Sequence, residues 1–297
     1  MIETVSPPGI QLKNAWSPSS LNTFMQCSLR YWFEKVARWE TWPSEAQVAG
    51  NIVHAVLEDL LGLPVGNRSR EAANLSYIHQ FDRHTEGIKD AIDINNVRER
   101  SYTALEGYFQ TEDPNRVRLV TDGIERRIAG ELQGVAMEGW IDRIEQSETG
   151  LRIVDYKTGI PKLQYLSRYW RQQMLYAAGW NQTTPGNGVT EVALFYVAEE
   201  PRVLVRPVTK FATTKVSDEL KQANEARNHY HAESRWRATT GPLCRYCPFE
   251  IACPAKRKRA PLPGSQESEA KLAENPDIYK RKPRCAGGPS RRSGGGA

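Results

Sequence analysis

Residues 151–159 read LRIVDYKTG, a run of Leu, Ile and Val that ends in an aspartate and a lysine one residue apart. No other stretch limits the fold so tightly. The apolar run is the pattern of a buried strand, and a buried strand tolerates charge poorly unless the charge is paired or holds a metal. Side chains on a strand alternate with period two, so Asp155 and Lys157 project to the same side. Whatever fold the chain adopts must satisfy both signs of charge at that strand end.

A second acid stands one strand earlier. In MEGWIDRIE, Asp142 lies near the end of another apolar run. If the two strands pair as a hairpin through SETG, the carboxylates meet, and one pKa rises unless a cation sits between them. Oxygen donors of this kind suit Mg²⁺ or Mn²⁺. Lys157 beside the ion is placed to orient an attacking water and to stabilise negative charge on a phosphoryl group. The strand end therefore reads as a site for metal-dependent phosphodiester cleavage.

The surrounding pattern is α/β. Ser17 as N-cap and Pro18 at the first helical position start a helical pattern through Phe24, Leu29 and Phe33. AQVAGNIVHAVLEDLL is a second helix, and a polar, mostly helical stretch runs to about Gln110. Strands follow at RVRLVTDGIERRIAG, VAMEGWIDRIEQ and GLRIVDYKTG, then a helix over 166–180, strands EVALFYVAE and RVLVRPV, and a last helix over 214–234. That order describes a mixed sheet covered by helices. A hydrophobic fraction of 39% and eight tryptophans in 297 residues supply a real core. With no apolar run of about 18 residues and no signal-peptide pattern at MIETVSPPGI, the sequence predicts a soluble, cytoplasmic protein with no membrane partner.

Net charge is +5, but from Ala255 onward eleven Lys/Arg face four Asp/Glu, so the rest of the chain is slightly acidic. Residues 259–297 read as a flexible basic tail, either simply solubilising or a non-specific phosphate-binding arm. Residues 1–258 read as a single domain.

GWID, then IVDYKTG, then QQMLYAAG resemble the PD-(D/E)XK nuclease superfamily, and within it the RecB-like and CRISPR-adaptation-associated exonucleases. The resemblance spans about residues 16–258 and is least specific over 63–110. It implies a restriction-endonuclease-like fold, with Asp142, Asp155 and the Tyr156 main-chain carbonyl as metal ligands and Lys157 as the catalytic lysine. Asp155 stands where many relatives have Glu, a variation the motif permits. Gln172 and Tyr176, four apart on one helical face, match the Q-x-x-x-Y element that marks RecB-like members and helps place the DNA backbone. His54, four residues after Gly50 in GNIVHAVLEDLL, matches the histidine that completes the metal site and favours Mn²⁺. Glu58 follows one turn later as a candidate partner for it.

Three of the five cysteines cluster in GPLCRYCPFEIACPAKR as Cys244, Cys247 and Cys253, a spacing that reads as metal binding in a cytosolic protein. Three thiolates leave a tetrahedral set one short, and Cys27 is the fourth candidate; Cys285 reads as free. One remote N-terminal cysteine plus a C-terminal trio resembles the iron–sulfur branch of these exonucleases, which implies a 4Fe–4S cluster joining 16–40 to 241–258. A structural Zn²⁺ on the same four sulfurs is the alternative.

The resulting expectation is a divalent-metal-dependent DNA exonuclease. It would act on single-stranded DNA or DNA ends in recombination, repair or adaptation, with a helicase or integrase as partner. A non-cleaving DNA-binding subunit and a redox-sensing iron–sulfur protein are the rival readings.

Overall fold

The computed structural model describes residues 3–4, 12–39, 41–250 and 253–256. The expected basic tail and Cys285 lie outside these residues. In chain order the first elements are β1 (Glu3–Thr4), α1 (Pro18–Gln26), α2 (Ser28–Tyr31) and a π-helical segment at Trp32–Val36. Three longer helices follow, α3 (Glu45–Gly62), α4 (Arg70–Thr85) and α5 (Ile94–Thr111). The remainder is β2 (Leu119–Leu132), β3 (Val135–Gln146), β4 (Leu151–Lys157), α6 (Leu163–Thr183), β5 (Val189–Tyr196), β6 (Arg202–Pro207), α7 (Lys210–Ala232) and β7 (Trp236–Arg237).

The described residues fall into two compact units. One, here the cysteine unit, draws on Met1–Thr41, Ala129–Gly139 and Thr214–Lys282; the other, the sheet unit, draws on Trp42–Ile128 and Trp140–Thr213.

The mixed α/β sheet with flanking helices is the restriction-endonuclease-like arrangement that the sequence predicts. Five strands lie in the order β2-β3-β4-β5-β6. β2 and β3 close through the two-residue turn Gln133–Gly134, both at positive φ (49° and 78°), as a tight hairpin requires. β3 and β4 are antiparallel, with Arg143 opposite Val154. β4 and β5 are parallel, with Asp155 opposite Leu194, and β6 returns antiparallel to β5. A parallel pair needs a long crossover, and α6 supplies it. β4 is therefore the middle strand, covered on both faces, which explains its continuous apolar run.

In the sheet unit one face of β4 and β5, carrying Val154, Tyr156, Ala193 and Phe195, packs with α3, α4 and α5 in a single hydrophobic core. Alternation sends Asp155 to the other face, where it meets Gln172 of α6. Ser44 and Gln47 cap the start of α3 reciprocally, fixing the helix that carries His54.

In the cysteine unit Ser17 and Ser20 form the capping box of α1, with Pro18 at its first position, as the sequence predicts. The expected continuous helix through Phe33 is interrupted. Cys27 is extended (φ −163°, ψ 109°), ending α1 and capping α2 through its sulfur, which accepts from the Arg30 N–H. The same sulfur accepts from the Thr239 N–H at 3.4 Å, a bond that an unbroken helix would not offer. Trp16, Tyr31 and Trp236 are fully buried here, with Trp16 stacked on Tyr31 and Tyr31 on Trp236.

Candidate active site

Helix α3, β3, β4 and α6 bring five side chains to the end of β4: His54, Asp142, Asp155, Lys157 and Gln172. Extending the β3–β4 register one pair beyond Arg143 and Val154 sets Asp142 across from Asp155, as the hairpin through SETG predicts. Asp142 Oδ2 accepts from the Tyr156 backbone N–H at 3.1 Å and lies 3.3 Å from His54 Nδ1. His54 Nε2 donates to the Tyr156 carbonyl at 3.0 Å. Imidazole, carboxylate and main-chain carbonyl, three of the sequence-predicted ligands, therefore form one continuous contact. Asp155 is turned to other partners: Lys157 Nζ pairs with Oδ2 at 2.5 Å, and Gln172 Nε2 donates to Oδ1 at 3.2 Å. Tyr176 is buried one turn after Gln172 on α6, and Glu58 is exposed.

The electrostatics divide the two acids. Burial pushes Asp142 up, but His54 and then Lys157 outweigh it and hold the carboxyl below its ordinary value. Burial raises Asp155, Lys157 pulls it back, and the Asp142 charge adds to the rise, so this carboxyl ends above its ordinary value. That split is expected of two carboxylates sharing one buried place. Burial disfavours the His54 cation, yet the Asp142 charge and hydrogen bond, with Asp155 behind them, lift the imidazole from 6.5 to about 9. Lys157 is likewise raised, its burial overcome by Asp155 and Asp142.

Two residues that sequence reasoning missed support this place. Arg143 follows Asp142 but points to the opposite face and is fully buried. It pairs with Glu112 through both terminal nitrogens and with Glu145 at 3.2 Å, donates to the Tyr156 hydroxyl at 2.7 Å, and lies over the Tyr156 and Phe195 rings. A buried guanidinium is tolerable only with such partners, and here it anchors the side chain of the residue whose backbone holds both Asp142 and His54. The second is Glu125 of β2. Its carboxylate, that of Asp142 and the His54 ring each offer one donor atom, and these atoms lie within 4.8 Å of one another. The signal available for Glu125 was the glycine at position 123 inside a strand pattern, which often marks a bulge.

The donor set suits a hard divalent ion: one imidazole and the carboxylates of Asp142 and Glu125, within 4.8 Å of one another. Beside Lys157 lie cationic and aromatic groups. Its ammonium sits 4.7 Å over the Tyr169 ring, and Arg168 lies 4.7 Å over Tyr165 and 4.8 Å over Tyr169.

Residues 15–254 match the PD-(D/E)XK nuclease superfamily. The chain belongs to that superfamily. Nuclease is the coarse function that this membership assigns, and nucleases of this superfamily use divalent metals. A solved structure of a candidate exonuclease from Eubacterium rectale superposes on this nuclease with a TM-score of 0.53 at 18% identity, covering 80% of this chain and 94% of that one, and so shares its fold. The crystal structure of SSO0001 aligns at 13% identity over 84% of this chain and 90% of that chain, with a TM-score of 0.37. No curated protein matches the nuclease.

The cysteine unit holds a second arrangement. Cys27, Cys244, Cys247 and Cys253 line one cavity of about 130 Å³, beside Leu29, Phe33 and Phe249. The Gly241 N–H donates to the Cys244 sulfur at 3.3 Å. Burial raises the Cys247 and Cys253 thiols. Among the described residues no three of these sulfurs come within 4.8 Å of one another.

Proposed function

We propose that the chain is a RecB-like, divalent-metal-dependent DNA exonuclease acting on single-stranded DNA or DNA ends. The observation that carries the proposal is the convergence of His54, Asp142, Asp155 and Lys157 on the end of β4, with Gln172 of α6 on Asp155. His54, Asp142, Asp155 and the Tyr156 carbonyl are the residues that would hold the cation. Mn²⁺ or Mg²⁺ bound there supplies Lewis acidity toward water and the phosphoryl oxygens.

The chain's own residues do the rest. Gln172 and Lys157 fix the two oxygens of Asp155, so the lysine is itself oriented by the carboxylate. Its ammonium, kept charged by Asp155 and Asp142, stabilises the negative charge that builds on the phosphoryl group. Such fixed charge costs no reorganisation at the moment of reaction. His54 carries a proton in the metal-free chain and must release one as the cation binds. Tyr165, Arg168 and Tyr169 offer a stacking and phosphate-contacting surface for a single strand.

Four cysteines lining one cavity support a thiolate-bound 4Fe–4S cluster, with a structural Zn²⁺ on the same four sulfurs as the alternative. The cluster would serve as a staple between the first and last segments of the cysteine unit. Recombination, repair or adaptation is the setting that this reading suggests, with a helicase or integrase as the partner.

The experiment compares end-labelled linear and circular single-stranded DNA with Mn²⁺ or Mg²⁺, alongside Asp155→Ala. Metal-dependent release of end label with the circle intact supports an exonuclease. Cutting of circles moves the reading to an endonuclease, and no cleavage of any DNA with either ion defeats it.

A further inference from the structure

β2 departs from regular strand geometry beside the site. Asp122 and Glu125 have φ of 53° and 43°, a left-handed backbone that aspartate tolerates better than most residues and that is unfavourable for glutamate. Burial along the strand falls at Gly123, Ile128 and Leu132, without the alternation of a flat strand. This is how bulges re-aim a strand, and they collect beside active sites. Gly123 is pressed against the Ile144 carbonyl, where a Cβ would come within 2.5 Å. Two residues onward in β2 and two residues back in β3 are Glu125 and Asp142. The twisted backbone thus delivers the Glu125 carboxylate into the donor group shared with Asp142 and His54. Strain retained at a residue aimed into a site is itself a pointer to function.

We infer that Glu125 is a ligand of the nuclease's cation, seated with His54 and Asp142. The inference rests on the metal-dependent reading above and adds to it an edge-strand residue outside the sequence motifs. The donor atoms of Glu125, Asp142 and His54 lie within 4.8 Å of one another, so a carboxylate from β2 is a further oxygen donor beside the imidazole, in addition to Asp155. An imidazole grouped with carboxylates suits Mn²⁺. The strain at β2 is then the cost of placing that oxygen.

The test is calorimetric titration of Mn²⁺ into the metal-free full chain without DNA, for wild type, Glu125→Gln and Glu125→Gly. Glutamine keeps the size and removes the charge. Glycine removes the ligand and accepts a φ of 43° without strain. Both variants should bind Mn²⁺ about tenfold or more weakly, while metal-free Glu125→Gly melts no lower than wild type. Binding by folded variants within about twofold of wild type overturns the inference. If that occurs while wild type binds Mn²⁺ and cleaves DNA, only the role of Glu125 is lost. A wild-type chain that neither binds Mn²⁺ nor cleaves takes the nuclease reading down with it.

Discussion

Lys157 and Asp155 share one ion pair, but their loss should be felt differently. Removing Lys157 leaves the buried carboxyl of Asp155 without the charge that holds its pKa down, besides removing a stabilising charge from the reaction. Lys157→Ala should cut the cleavage rate by about 10²- to 10³-fold. Asp155→Asn should do the same while retaining the Gln172 contact, and both chains should keep their far-ultraviolet circular dichroism. Near-normal rates from either purified variant would remove the pair from the site. His54 adds a pH dependence. Its folded pKa of about 9 exceeds the unfolded 6.5, so its contribution to metal-free stability is complete below about 6.5 and is lost as pH rises through about 9, at most about 3 kcal/mol. Melting temperatures in chelator from pH 6 to 10 should fall for wild type and stay flatter for His54→Gln. The motif residues were legible because charge ending an apolar strand has few structural uses. Arg143 was not: alternation put it on the face opposite Asp142, and its burial there is made tolerable by Glu145, the Tyr156 hydroxyl and Glu112, the last from beyond the end of α5.

Element by element, the sequence pattern reached far. The β3 segment VAMEGWIDRIEQ coincides with the observed strand, and α6 extends three residues beyond each expected end. The lost element was the long first helix. Its apolar spacing continues past Cys27, where the chain turns extended and the sulfur accepts from the Thr239 N–H, 212 residues away, a contact that no local period can express. The irregularity of β2 left only a faint trace, Gly123 and the neighbouring Asp122, and the positive φ at Glu125 has no signature in its residue type. Packing between elements yields a sharper forecast at Gly107 of α5. A Cβ there would meet the Val197 carbonyl oxygen at 2.4 Å and that of Ala198 at 2.8 Å. Backbone cannot give as a side-chain end can, so Gly107→Ala should destabilise by about 1–3 kcal/mol, read as a lower denaturant midpoint. Because the Val197 N–H donates to the Lys157 carbonyl at 2.9 Å, the same variant should also cleave more slowly at temperatures where it remains folded. An unchanged midpoint would refute the close approach of α5 to the segment that follows β5.

For the molecule as a whole, the cysteines decide the chemistry of the second arrangement. Anaerobically purified protein should be brown, with about four irons per chain. Cys27→Ala should bleach it as fully as Cys247→Ala, and both should lower the melting temperature because ligation energy is folding energy. Full colour in the Cys27 variant would break the long-range closure, and a colourless protein with stoichiometric zinc would keep the closure and discard the iron. The division of the chain into two units also bears on its birth. The described sheet unit is encoded without a gap larger than the short hairpin tip Ala129–Gly139, and it is finished by Thr213. The cysteine unit begins before it and ends after it. At about 5–20 residues per second, the 212 residues between Cys27 and Thr239 take roughly 10–40 s to synthesise. Throughout that interval the nascent chain carries one thiol of the set with none of its three companions, so the nuclease strands can pair well before the sulfur cavity has walls, and the proposed cluster would be loaded among the last events of maturation.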